Sequence, residues 1–306
     1  VWAVRALSFV CVIAFWAALS PANAAGPQVV ASVKPLHALV AGVMEGVGTP
    51  DVLLKGGGSL HSYALRPSEA AMLDRADVVF WVGPVFEAFL TKPLASLAAK
   101  ARVVALIDAP GVAVLPTREG GLWEARAEVD HADAHSDGHI WLSVKNTKAM
   151  VASITETLAA HDPANAARYR TNAAALNIKL DTLDADVRGK LAPVKHQPFI
   201  VFHDAYQYFE VSYGLNAAGS ITVAPDRLPG ARRISEIKHK LDSLGVTCVF
   251  AEPQFEPKLV QTVIGGTRAK TGVLDPEGSS LPQGADLHFD LMRNLADGLV
   301  KCLAAP

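Results

Sequence analysis

The chain has 306 residues, enough for two ordinary domains. Half of them are apolar and 19% are charged, the profile of a globular protein with a full core. The formal net charge is −2 and no basic block occurs, which argues against nucleic acid as a partner.

Residues 1–24 read as a secretory signal peptide. Arg5 supplies a positive start, an apolar run follows, and Ala22-Asn23-Ala24 forms a small-residue cleavage site. The apolar run is short for a membrane span, and Cys11 within it has no lipoprotein context. Cleavage after Ala24 implies a periplasmic protein. It leaves two cysteines, Cys248 and Cys302, and an even pair in an exported chain suggests a disulfide, with two buried thiols as the alternative. Closing that loop is worth about 4 kcal/mol in the chain-entropy account.

Residues 25–161 are expected to form an N-terminal α/β lobe. Strands are predicted over 28–33, 52–54, 78–82 and 103–107, with helices over 36–44, from Pro67 onward, and over 84–99. Strands alternating with helices at this spacing argue for a parallel sheet. Residues 108–138 break the rhythm and read as an exposed loop. Its His/Asp-rich part, 118–138, holds His131 and His135, spaced four apart with His139, so a helical turn would stack the three. A helix is predicted over 144–160.

The stretch 162–194 reads as one long linker helix. Asp162 suits an N-cap, Pro163 suits the first turn, and Pro193 closes the run. Leu176, Leu180, Leu183, Val187 and Leu191 fall on one face; Arg170, Lys179, Asp181 and Asp186 fall on the other. About 27 helical residues give a rod of about 40 Å. It is either an ordinary amphipathic helix or a stiff strut between two domains. Residues 195–306 repeat the α/β pattern as a C-terminal lobe, with strands over 199–202, 248–251 and 271–274 and helices over 204–213, 234–244, 257–264 and 289–303. The fold class is therefore α/β: two lobes, each a parallel sheet flanked by helices, joined by one long rigid helix.

Three of the ten histidines, His61, His139 and His203, stand at the end of a predicted strand or in a tight loop. Ligands of parallel sheets collect outside the carboxyl ends of strands. Three imidazoles meeting at one point suit zinc, although each alone is more commonly a structural residue.

The words around them carry more. G-G-G-S-L-H-S-Y-A-L-R-P-S, D-G-H-I-W-L-S, V-F-H-D-A-Y-Q-Y-F-E and C-V-F-A-E-P-Q-F resemble the motifs of zinc ABC-transporter periplasmic substrate-binding proteins, the metal-binding cluster A-I family, over nearly all of the mature chain. The resemblance implies two lobes joined by a long helix, with the metal site in the interlobe cleft. It implies His61 and His139 as N-lobe ligands, His203 as the C-lobe ligand, and Cys248 paired with Cys302. Related manganese binders place a carboxylate at the position of His203, so a histidine there favours Zn²⁺. Some zinc binders of the family carry an acidic residue where this chain has Leu60. The fourth ligand is then Asp275 in V-L-D-P-E-G, or water; the alternative for Asp275 is an Asp-Pro turn. Glu252 either orients a metal-bound histidine or makes a turn contact. His131 and His135 form an accessory metal loop, or belong to a solvated one.

The function implied is capture of Zn²⁺ in the periplasm and delivery to the membrane permease of an ABC transporter, by a monomer that is not an enzyme. A manganese-binding relative or an adhesin-like metal binder is the alternative. A three-histidine zinc hydrolase is the rival from another class, and no H-E-x-x-H motif supports it.

Overall fold

The computed structural model describes residues 26–56, 63–118, 136–222 and 229–304. The expected signal peptide lies outside these residues, as do His61, His131 and His135. Among the described residues no helix is long and apolar enough to cross a membrane.

The N-terminal sheet holds β1 (Val29–Val33), β2 (Asp51–Leu54), β3 (Val78–Trp81) and β4 (Arg102–Ala105), all parallel, in the order β2-β1-β3-β4. The C-terminal sheet holds β5 (Phe199–His203), β6 (Ala217–Thr222), β7 (Cys248–Ala251) and β8 (Lys270–Val273), also parallel, in the equivalent order β6-β5-β7-β8. In each sheet the first strand is central, and the chain crosses to its other side between the second strand and the third. That reversal opens a crevice beyond the carboxyl end of the central strand. Lys34 stands at that end of β1, and His203 is the last residue of β5.

The helices are α1 (Lys34–Val43), α2 (Pro67–Arg75), α3 (Thr91–Leu97), α4 (Val144–His161), α5 (Ala166–Leu191), α6 (Gln207–Tyr213), α7 (Ala231–Ser243), α8 (Lys258–Ile264) and α9 (Leu287–Leu303). The long linker is α5, 26 residues, preceded by a 3-10 turn over Pro163–Asn165. Its buried stripe is Tyr169, Ala173, Leu176, Leu180, Leu183, Val187 and Leu191, while Arg170, Lys179, Asp181 and Asp186 are exposed. The stripe packs against α1 and α4 of the first lobe and α9 of the second, so the rod is braced along its length. A Cβ on Gly42 of α1 would come within 3.2 Å of Leu176, so the close approach of these two helices uses the missing side chain. One apolar core runs from β1 through α5 to Phe199, Phe250 and α9; a smaller one fills the far face of the second sheet under α7 and α8.

Four expectations need correction. Residues 84–99 are not one helix: the structure has a turn after Gly83, a 3-10 turn over Ala88–Leu90, and only then α3. Gly83 has φ +144°, its carbonyl accepts from the Phe86 and Glu87 N–H groups, and the Glu87 carboxylate reaches back to the Val82 and Gly83 N–H groups, which fixes a tight turn where a helix was expected to start. Strand β4 ends at Ala105, and Leu106–Asp108 turns as 3-10. Asp162 makes no side-chain cap; its Oδ2 accepts from Asn165 Nδ2 at 2.7 Å and from the Tyr169 hydroxyl at 2.8 Å. Helix α6 starts at Gln207 rather than at residue 204. Strand β6, with sequence A-A-G-S-I-T, was not expected at all, because it has no apolar run; it is buried by its neighbours rather than by its own side chains.

Cys248 of β7 and Cys302 of α9 form a disulfide, with Cα atoms 6.1 Å apart. Beside it, Gly272 of β8 makes room for the Phe250 ring, which a Cβ there would approach to 2.4 Å, while Cys302 lies at ordinary contact distance, 3.4 Å.

Candidate metal centre

Two of the three expected histidines are within the described residues, and they meet. His139 lies just before the 3-10 turn Ile140–Leu142 in the first lobe, and His203 closes β5 in the second. They are 64 residues apart in sequence, yet their ring centroids are 5.4 Å apart, inclined at 59°. Two imidazoles on one tetrahedral zinc, with Zn–N near 2.0–2.1 Å, would place their centroids about 5 Å apart. Both rings are buried, at 5% and 4% exposure.

Each ring is held by a carboxylate on Nδ1. Asp137 Oδ1 is 2.8 Å from His139 Nδ1 and also accepts the His139 backbone N–H at 2.9 Å. Both oxygens of Glu252 lie 2.7 Å from His203 Nδ1. A carboxylate can only accept, so Nδ1 carries the proton in both rings and Nε2 is the nitrogen that keeps its lone pair. Glu252 therefore holds the His203 ring with its carboxylate, while its carbonyl accepts from the Phe255 N–H in the turn at 3.2 Å; Tyr206 steadies the carboxylate with its hydroxyl, 3.2 Å from Oε1. Burial would lower the His203 pKa, but the charge and hydrogen bond of Glu252 outweigh it, and the net shift is upward. Aromatic rings wall the pair: Phe86 stands edge-on to His139 at 5.1 Å, Trp141 lies at 5.4 Å, and Phe255 faces His203 at 6.3 Å.

Asp275 sits in the loop after β8. Its Oδ1 accepts from Gln254 Nε2 at 2.8 Å and the Glu277 N–H at 3.1 Å; its Oδ2 accepts from the Ser279 N–H at 2.7 Å and hydroxyl at 2.8 Å. A carboxylate has about four lone-pair positions, and this turn occupies them. Among the described residues no group of three or more His, Cys, Asp or Glu side chains could hold an ion.

Sequence reasoning missed three groups. Asp137 lies at the end of the His/Asp-rich loop, and its spacing of two before His139 was the available signal. Glu277 was passed over beside Asp275. Burial pushes its carboxyl up to about 8, with His203 pulling it down and Asp275 and Glu252 adding to the rise, so it belongs to the same electrostatic neighbourhood. Lys34 carried no motif. It is 9% exposed and donates from the first lobe to the second-lobe carbonyls of Gly278, Ser279 and Leu281, at 3.4, 2.7 and 2.9 Å. Trp141 adds an Nε1–H bond to the Pro276 carbonyl at 2.8 Å. The loop carrying Asp275 and Glu277 is thus held from across the cleft.

Comparison with known proteins agrees with this architecture. The family described as zinc-uptake complex component A, periplasmic, matches residues 29–302. A Brucella suis protein named high-affinity zinc uptake system protein ZnuA is 48% identical, covering 95% of this chain and 96% of the relative. A solved structure titled as the crystal structure of ZnuA superposes with a TM-score of 0.78 at 24% identity, over 91% of this chain and 99% of that one. A Pseudomonas aeruginosa binding protein, FpvC, solved with Mn²⁺, has a TM-score of 0.77 at 22% identity, over 91% and 98% of the two chains. With two matched parallel sheets, a braced linker helix and a profile match across nine-tenths of its length, the chain belongs to the periplasmic zinc-uptake complex component A family.

Proposed function

We propose that this protein captures Zn²⁺ in the periplasm between its two lobes and passes it to the membrane permease of an ABC transporter, with no covalent chemistry of its own. The observation that carries the reading is the 5.4 Å approach of His139 and His203 from opposite lobes, each with Nδ1 committed to a buried carboxylate. Both are borderline donors that suit zinc. His61 is the third ligand in this reading. Water takes the fourth position, since the Asp275 oxygens are engaged in their turn. His131 and His135 form the accessory loop site. The expected disulfide and periplasmic location accord with each other.

Titration of the purified protein with Zn²⁺ and Mn²⁺ in competition tests this. One Zn²⁺ should bind at the cleft and resist Mn²⁺; preference for Mn²⁺ would replace the assignment with the manganese reading. Affinity should fall on acidification. A protonated imidazole cannot ligate, and the His203 pKa is raised, so the fall begins above the ordinary histidine range near 6.5. The linkage sign is opposite for the metal-free fold. A raised pKa contributes stability that is full below about 6.5 and lost as pH rises through the folded value. The zinc-induced rise in Tm should therefore shrink as pH drops.

Replacing Glu252 by glutamine keeps an acceptor on Nδ1 but removes its charge. Zinc affinity should weaken by about 10- to 100-fold, the usual effect of losing an outer partner of a ligating histidine. Calorimetric titration reads it, and an unchanged Kd would mean that Glu252 only fills space.

A further inference from the structure

Arg118 belongs to the first lobe, two residues after Pro116, which bridges Ser136 in antiparallel register. The next residue, Asp137, donates its N–H to the Leu115 carbonyl at 2.8 Å and holds the His139 ring. The Arg118 guanidinium reaches across the cleft to two buried second-lobe carboxylates. Its Nε lies 3.1 and 3.0 Å from Asp204 Oδ1 and Oδ2, and its NH2 group also meets Oδ1. NH1 and NH2 lie 2.6 and 3.2 Å from the two oxygens of Glu210 on α6. Asp204 directly follows His203. Tyr208 of α6 reinforces the same span, accepting from the Leu115 N–H at 2.9 Å and donating to the Asp137 carbonyl at 2.8 Å.

One fork-shaped cation therefore ties the stretch that orients His139 to the residue after His203. The three side chains are 20%, 10% and 6% exposed, so bulk water screens the contact weakly. Burial raises the pKa of Glu210 even though Arg118 opposes it, so the guanidinium is the partner that keeps this buried acid ionised. Such a bridge costs desolvation and is a poor device for stability alone. It is a good device for fixing geometry, because a planar fork satisfies two carboxylates only in one arrangement.

We propose that Arg118 is a positioning residue for zinc: by clamping Asp204 and Glu210 it holds the two histidine-bearing halves of the cleft in register, and it sets how fast the ion leaves. This rests on the zinc-capture reading above. The zinc-loaded protein is mixed with excess chelator in a stopped-flow instrument, using wild type, Arg118→Lys, Arg118→Met and the triple variant Arg118→Met/Asp204→Asn/Glu210→Gln. The triple variant removes all three charges together, so it guards against a fold lost to stranded carboxylates. Arg118→Lys keeps the charge and guards against loss of the fold altogether.

Release should be about tenfold or more faster in Arg118→Met and in the triple variant, with association little changed, as expected when a buried cross-cleft pair is cut. Lysine should restore the rate only in part, since one ammonium cannot serve both carboxylates bidentately. Melting of the metal-free proteins is read in parallel. Release at the wild-type rate in any folded variant lacking Arg118, with or without a lowered Tm, would overturn the proposal and leave a purely structural bridge. Failure of wild type to retain zinc would instead refute the functional reading on which it rests.

Discussion

Replacing His203 by alanine is expected to weaken zinc binding by on the order of a few hundredfold. Folded zinc sites bind with apparent free energies of about 10–16 kcal/mol, so one of four ligands accounts for about 3–4 kcal/mol, and each 1.4 kcal/mol is tenfold. The loss has two parts. The ion forfeits an Nε2 donor, and Glu252 is left buried at 3% exposure without the imidazole that its oxygens face at 2.7 Å. The second part should also lower the Tm of the metal-free protein, because an uncompensated buried carboxylate is costly. His196, which is exposed and outside the cleft, is the control: its alanine variant should bind as wild type. A His203→Ala protein that is folded and holds zinc with unchanged affinity would remove the cleft from consideration as the capture site.

The second large effect concerns stability. Converting Cys248 and Cys302 together to serine should cost about 4 kcal/mol, because the bridge closes a loop of 54 residues that the unfolded chain would otherwise explore. For a protein of this size that corresponds to a fall in Tm on the order of 10 °C. The bridge ties α9 to β7, and α9 also packs on α1 and α5, so slackening it loosens the brace that both lobes share. Zinc affinity measured well below the melting transition should change little, since Cys248 lies at the opposite end of β7 from Glu252. A disulfide-free protein melting with wild type would show that the fold holds α9 without the bridge.

The shared core bears on how capture and release work. Apolar side chains run without interruption from β1 across α5 to α9, and Lys34, Trp141 and Arg118 each cross the cleft by hydrogen bonds. A wide hinge swing would have to break all of these together. Small local shifts at the crossing residues are the cheaper route by which the ion can leave. The cross-cleft residues, rather than the linker helix alone, therefore govern the exchange.

Strands such as Val78–Trp81 and Cys248–Ala251 were legible because they are short unbroken apolar runs, and α5 because Leu176, Leu180, Leu183, Val187 and Leu191 recur at helical spacing. The family words around His139 and His203 mark those two residues in the sequence itself. Strand β6 and the turn after Gly83 were not legible. The first has small and polar residues that only its neighbours bury, and the second is decided by a glutamate reaching back to two amides. Asp162 illustrates the same limit: its type suits a cap, but its carboxylate is drawn instead to Asn165 and Tyr169.

By itself, then, the chain's local pattern determined most of the elements, their parallel α/β order and the residue types able to hold a transition-type ion, but not strand β6 or the turn after Gly83. Tertiary structure alone decided that the His139 and His203 rings lie 5.4 Å apart across the cleft, that Asp137 and Glu252 stand behind them, that Asp275 turns its oxygens inward, and that Arg118 spans the cleft to Asp204 and Glu210. The physical reason is range. Periodicity and capping act within a few residues, whereas hydrogen bonds between side chains depend on where distant segments come to rest when both sheets and α5 pack around one core.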